Sequence, residues 1–233
     1  MFAGALVQVT TGAGLSVVCG ACLIVMLGVH AAVPLLLLLN LLVSVVATAG
    51  GARAVAWSDV GLVALASTLG SAVAVPMLPY ISADALKLVT AAVLLLIALR
   101  RPSRGGTAGW RGTWLVGIAG LASGMLTAWT ATPGPVVPIG MAYAGRGGET
   151  IRRAMQPISI WGYGCALALL GTPPTLHALA LPEMVPFGLA ALAGSLLGLP
   201  ARHLVPADRV APAVRVIAAL AAVTLIASAF LTA

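Results

Sequence analysis

Two short motifs, Thr10-Thr11-Gly12-Ala13-Gly14 and Thr130-Ala131-Thr132-Pro133-Gly134-Pro135, place hydroxyls, glycine and proline inside otherwise apolar stretches, Met1 to Leu27 and Thr113 to Ala144. Glycine and proline interrupt helices. A helix that restarts after an interruption presents unpaired N–H groups and the positive end of its dipole. The hydroxyls of Thr10, Thr11, Thr130 and Thr132 stand beside these ends, and neither stretch contains Lys or Arg. Such groups can hold a small anion through neutral hydrogen bonds alone. A single break of this kind reads better as a place where small residues let helices pack closely. Two breaks at matching positions favour a site.

Polar groups recur near these breaks. Asn40 lies within the apolar run PLLLLLNLLVSVV, one helical turn before Ser44, and Gln156 and Ser159 lie in a later apolar stretch. An unpaired amide in hydrocarbon is costly, so Asn40 and Gln156 read either as interhelical hydrogen bonds or as ligand contacts. The candidate anion-binding set is Thr10, Thr11, Gly12, Gly14, Asn40, Thr130, Thr132, Gly134, Gln156 and Ser159, with Trp129 and Trp161 beside it. Other chemistries find little support. Cys19 and Cys22 form a CxxC without a second pair or a nearby histidine, and read as packing residues. His30, His177 and His203 fall in connections, Asp59, Asp84, Glu183 and Asp208 near helix ends, and no GxxxxGK loop is present. No catalytic residue, metal or cofactor is expected.

The elements that must position these residues are membrane helices. The 233 residues are 61% hydrophobic and 7% charged, with a mean hydropathy of +1.12, far from the makeup of soluble domains. A span needs about 20 apolar residues. The apolar runs predict ordinary helices over Ala31 to Thr48, Val60 to Leu78, Leu86 to Leu99, Ala154 to Leu170, Met184 to Leu199 and Val210 to Phe230. The two broken stretches predict either kinked spans or re-entrant hairpins. The opening residues lack the basic start and cleavage site of a secretory signal and are kept in the fold.

The halves match one another when slid along the chain. At an offset of 120, Thr10 meets Thr130, Gly14 meets Gly134, Gly20 meets Gly140 and Gly28 meets Gly148; at 124, Gly70-Ser71 meets Gly194-Ser195, Pro76 meets Pro200 and Ala83-Asp84 meets Ala207-Asp208. One membrane domain, 1–233, is read as repeat 1 (1–100), a linker (101–112) and repeat 2 (113–233). Charge then separates the topologies. With eight full crossings, Arg53, Arg100, Arg101, Arg104 and Arg111 face one side and Lys87, Arg146, Arg152, Arg153, Arg202 and Arg209 the other, which breaks the rule of cytoplasmic Lys/Arg excess. With two hairpins, Lys87 alone faces outward and ten cations face inward, Arg215 lying within a helix. That tally predicts an all-α polytopic protein of two inverted repeats, each a re-entrant hairpin plus three spans, with both ends outside. The net charge of +7 is a topology signal, and no nucleic-acid partner is expected. Arg146, Arg152 and Arg153 read as topology determinants that also attract anions.

The segments GALVQVTTGAGLSVVCGACLIVMLGVHAAV, with Asn40 following, and GLASGMLTAWTATPGPVVPIGMAYAGRGGETIRRA resemble the twice-repeated glycine-rich segment of the TauE/SafE sulfite exporter family, also called the TSUP anion transporters. The resemblance covers nearly the whole chain. It implies transport of a small anion such as sulfite, sulfoacetate or a related organosulfur or organic anion. The function expected is a secondary transporter or facilitator exporting such an anion across a bacterial inner membrane. A membrane-embedded binding or assembly subunit is the alternative. Its partners are the anion and the bilayer; the oligomeric state is left open, a homodimer being one option.

Overall fold

A computed structural model describes residues 1–11, 14–49, 55–99, 109–132, 136–171, 185–204 and 207–231. Gly12, Gly134 and the side chain of Thr11 lie outside the described residues, as do Arg53, Arg100, Arg101 and Arg104. Among the described residues the chain forms ten α-helices and no strand: α1 Phe2–Thr11, α2 Leu15–Leu27, α3 Val29–Ala49, α4 Trp57–Met77, α5 Ala83–Leu99, α6 Trp110–Thr130, α7 Val136–Tyr143, α8 Gly148–Leu170, α9 Val185–Leu204 and α10 Ala207–Leu231. Only helices satisfy every backbone group locally in hydrocarbon. Among the described residues four stretches are long and apolar enough to span: Val29–Thr48, Trp57–Tyr80, Trp110–Thr130 and Val214–Leu231. Their outer faces carry exposed apolar side chains such as Leu65, Leu69 and Val73 on α4 and Val216, Leu220 and Val223 on α10.

All six ordinary helices fall where the apolar runs place them. α8 begins earlier than its apolar run because Glu149 pairs with Arg152 and Arg153 one turn on, which suits a helix leaving the apolar zone. The broken stretches are broken where expected. α1 and α2 have 10 and 13 residues and α7 has 8, lengths of about 15, 20 and 12 Å against a hydrocarbon core of about 30 Å. None of the three crosses alone.

Close packing gives their directions. Gly120 lies against Val63 and Ala66, and Gly124 against Ser67, while the Trp129 indole donates to the Ala74 carbonyl at 3.0 Å. Numbers rise together, so α4 and α6 run parallel. α7 folds back along α6, since Gly140 abuts Leu115 and Ala119. Its exit returns to the end where α4 begins, because Arg146 pairs with Asp59 at 2.8 Å. α1 runs parallel to α9, with Gly194 on Phe2 and Gly198 on Leu6 and Val9, and α2 turns back along α1, with Gly4 against Leu15 and Cys19.

Two apolar clusters result. One joins Val60 and Val63 of α4, Val116 of α6, Val137 and Met141 of α7, and Ala154, Met155 and Ile158 of α8. The other gathers α1, α2, α3, α5, α9 and α10 with Ala131, Tyr163 and Ala166. The α4–α6 seam depends on the missing β-carbon at Gly124, where one would collide with the Ser67 carbonyl. Gly124→Val should lower stability by about 1–3 kcal/mol or more, the scale of overpacking. Gly61→Ala, where no atom lies within 4 Å, should leave it unchanged; thermal unfolding in detergent compares the two.

Candidate functional site

The first break is built around a glutamine. Gln8 of α1 is 1% exposed, and its Oε1 accepts the N–H of Leu15, the first residue of α2, at 3.1 Å. Its Nε2 donates to Ser44 Oγ at 3.2 Å and to the Asn40 carbonyl at 3.5 Å, both on α3. One carboxamide thus ties α1, α2 and α3 together. Gly14 caps α2, buried against Val7 and Gln8, and the Val18 N–H makes the first bond of the new helix, to the Gly14 carbonyl at 2.8 Å.

The two breaks meet. Asn40, also 1% exposed, donates from Nδ2 to Ser16 Oγ at 2.7 Å and to the Leu36 carbonyl at 2.6 Å. Ser16, in the first turn of α2, donates to the carbonyl of Ala131 at 2.8 Å. Ala131 closes α6 with φ 53°, the one non-glycine residue at positive φ among those described. That conformation costs an L-residue about 1–2 kcal/mol and turns its carbonyl to the other tip. Ser16 accepts one bond and donates one, so its hydroxyl orientation is fixed.

Of the candidate residues, the structure brings Gly14 and Asn40 into this group and sets Thr130 and Thr132 on either side of Ala131. The threonine hydroxyls point inward to main chain: Thr10 to the Leu6 and Val7 carbonyls, Thr130 to Leu126 and Thr132 to Thr130. Gln156 and Ser159 lie on α8 beyond the group. Ser159 is buried and bonded to the Tyr163 side chain, and Gln156 Oε1 is buried with no hydrogen-bond partner. The sequence reading missed Gln8 and Ser16, although a carboxamide inside VQV obeys the same logic that singled out Asn40.

The family model described as Sulfite exporter TauE/SafE matches residues 1–225 of this chain. The chain belongs to the TauE/SafE family. Neither a curated protein nor a solved structure matches it. TauE/SafE is a transporter family, and its member here is a membrane protein whose apolar helices fit that role.

Around the start of α8 in this TauE/SafE protein the arginines are already paired. Glu149 is held at a pKa of about 2 by hydrogen bonds from Arg152 first and Arg153 second. A carboxylate with a lowered pKa stays ionised well below its ordinary range, so both arginines keep their partner at neutral pH and down to mildly acidic pH. Arg146 and Asp59 differ. The Asp59 carboxylate is 8% exposed and Arg146 37%, and Arg146 Nε is buried without a partner. Removing one member of such a pair leaves a desolvated group behind. Asp59→Asn should therefore cost about 1–3 kcal/mol, discounted from a fully buried pair for the exposure of Arg146. The swap Asp59→Arg with Arg146→Asp should recover part of the loss; unfolding midpoints in detergent measure both.

Proposed function

We propose that the chain is a secondary transporter or facilitator exporting a small anion, sulfite, an organosulfonate or a related organic anion, across the bacterial inner membrane. The observation that carries it is the joining of the two helix breaks by Asn40, Ser16 and Ala131. Non-helical backbone at membrane depth is tolerated where protein or a polar path surrounds it, and paired broken helices mark the sites of secondary transporters.

The architecture in this reading is two inverted repeats, 1–100 and 113–233 with 101–112 between them, each a re-entrant hairpin plus three spans. The parallel pairing of α4 with α6, and of α9 with α1, supports it, because the sequence offset of 124 relates α4 to α9 and that of 120 relates α1 to α6. Trp57, Trp110 and Trp114 are exposed near the starts of α4 and α6, as interfacial aromatics are. With Arg111, Arg146, Arg152 and Arg153 they would mark the cytoplasmic face.

The anion would be held by neutral groups: amides opening α2 and the helix after the second break, Asn40, Gln156, Ser159 and the threonines Thr10, Thr11, Thr130 and Thr132, near Gly12, Gly14 and Gly134. Helix ends contribute about 0.3–1 kcal/mol each, up to about 2 when partly buried. Hydrogen bonds to a charged group add about 1.5–3 kcal/mol each. Such a site offsets much of the anion's desolvation yet releases it readily, as turnover requires. Labelled sulfite and small sulfonates should enter everted vesicles with saturable kinetics; absence of saturable flux across an anion panel overturns the reading. A reporter fused after Ala233 should be active on the extracytoplasmic side, and a cytoplasmic C terminus refutes the inverted arrangement.

A further inference from the structure

Most of the side-chain donors placed by the structure at the joined breaks, and the Leu15 N–H, are already in use. The Leu15 N–H goes to Gln8 Oε1, the Asn40 amide to Ser16 and Leu36, and the Ser16 hydroxyl to Ala131. The hydroxyls of Thr10, Thr130 and Thr132 go to carbonyls. An anion that takes one of these donors does so by exchange, and exchange is easiest where the outgoing acceptor can move. The acceptors on Leu6, Val7, Leu36, Leu126, Thr130 and Ala131 are main-chain carbonyls fixed by helix or turn. Ser16 Oγ sits on a one-carbon side chain held by two bonds. Gln8 Oε1 alone ends a side chain with three rotatable bonds, and it faces the positive end of α2, the position an anion oxygen would take.

We propose that Gln8 is the positioning residue of the anion site. Resting on the transport reading above, it holds the place of an anion oxygen at the Leu15 amide when no anion is bound. Its Nε2 is held by Ser44 and, at the longer distance of 3.5 Å, by the Asn40 carbonyl, so giving up the Leu15 N–H turns the whole carboxamide and loosens the longer of those two bonds while the other keeps the side chain in the site. The stand-in is neutral, so a charged substrate outcompetes it. It also keeps the opening of α2 from standing unpaired in hydrocarbon during the return step. At the 120-residue offset Gln8 meets Ala128, so the second hairpin carries no counterpart at that position.

The test is the concentration dependence of sulfite and sulfoacetate flux in liposomes holding the full chain. Gln8→Glu keeps the acceptor and fixes a negative charge on it, so the half-saturating concentration should rise at least tenfold. Gln8→Met keeps the length and removes the competing oxygen; half-saturation should fall several-fold and the maximal rate with it. A purely structural glutamine would reduce the amount of folded protein in both variants and leave half-saturation where it was. Unchanged half-saturation, or shifts in the same direction, overturns the assignment while the transport reading stands. Ser44→Ala, which loses a single oxygen and loosens the anchor, decides in place of any variant that does not fold. It should lower half-saturation, and an unchanged or raised value counts against the proposal. A wild type that moves neither anion overturns the transport reading and this inference with it.

Discussion

A helix interrupted within an apolar stretch exposes backbone groups that hydrocarbon cannot satisfy, and this chain has two such interruptions. Each is answered by the other or by a neighbouring amide. Gln8 takes the first N–H of α2, and Ser16, one residue further, reaches the Ala131 carbonyl across the two hairpins. Asn40 completes the arrangement from α3. Loss of any one member leaves a partner desolvated and unpaired, which is why a handful of polar atoms constrains the placing of four helices.

Close backbone approach holds those atoms in register. α6 lies on α4, and α1 on α9, through glycines whose β-carbons would collide with the facing main chain. Without a hydrophobic drive between helices in lipid, such small-residue seams supply the contact area that packing requires. The tip of the second hairpin crosses from one apolar cluster to the other. Val116, Val137 and Met141 belong with α4 and α8, whereas Ala131 is buried with α2 and α3. The polar group therefore sits where the two apolar clusters meet.

Much of this was legible in the sequence. Apolar run length placed the six ordinary helices because the bilayer sets their length, and glycine and proline marked both breaks. Asn40 was legible because an amide among leucines has to find partners. Its partners were not, since Ser16 and Ala131 are 115 residues apart and only the folded hairpins bring them together. Gln8 hid behind the richer threonine and glycine signal two residues on. Asp59 read as a helix-end carboxylate; its burial and its pairing with Arg146 depend on α7 turning back, which periodicity does not encode.

The halves correspond in backbone pattern and differ in chemistry. At the 120-residue offset Gln8 meets Ala128, Asn40 meets Ile160 and Arg146 meets Met26. The first hairpin is fastened by buried amide hydrogen bonds, which ionic strength hardly affects. The second is fastened at its exit by an ion pair whose arginine is 37% exposed, and such pairs weaken as salt screens them. The two fastenings therefore answer differently to ionic strength, the second more than the first.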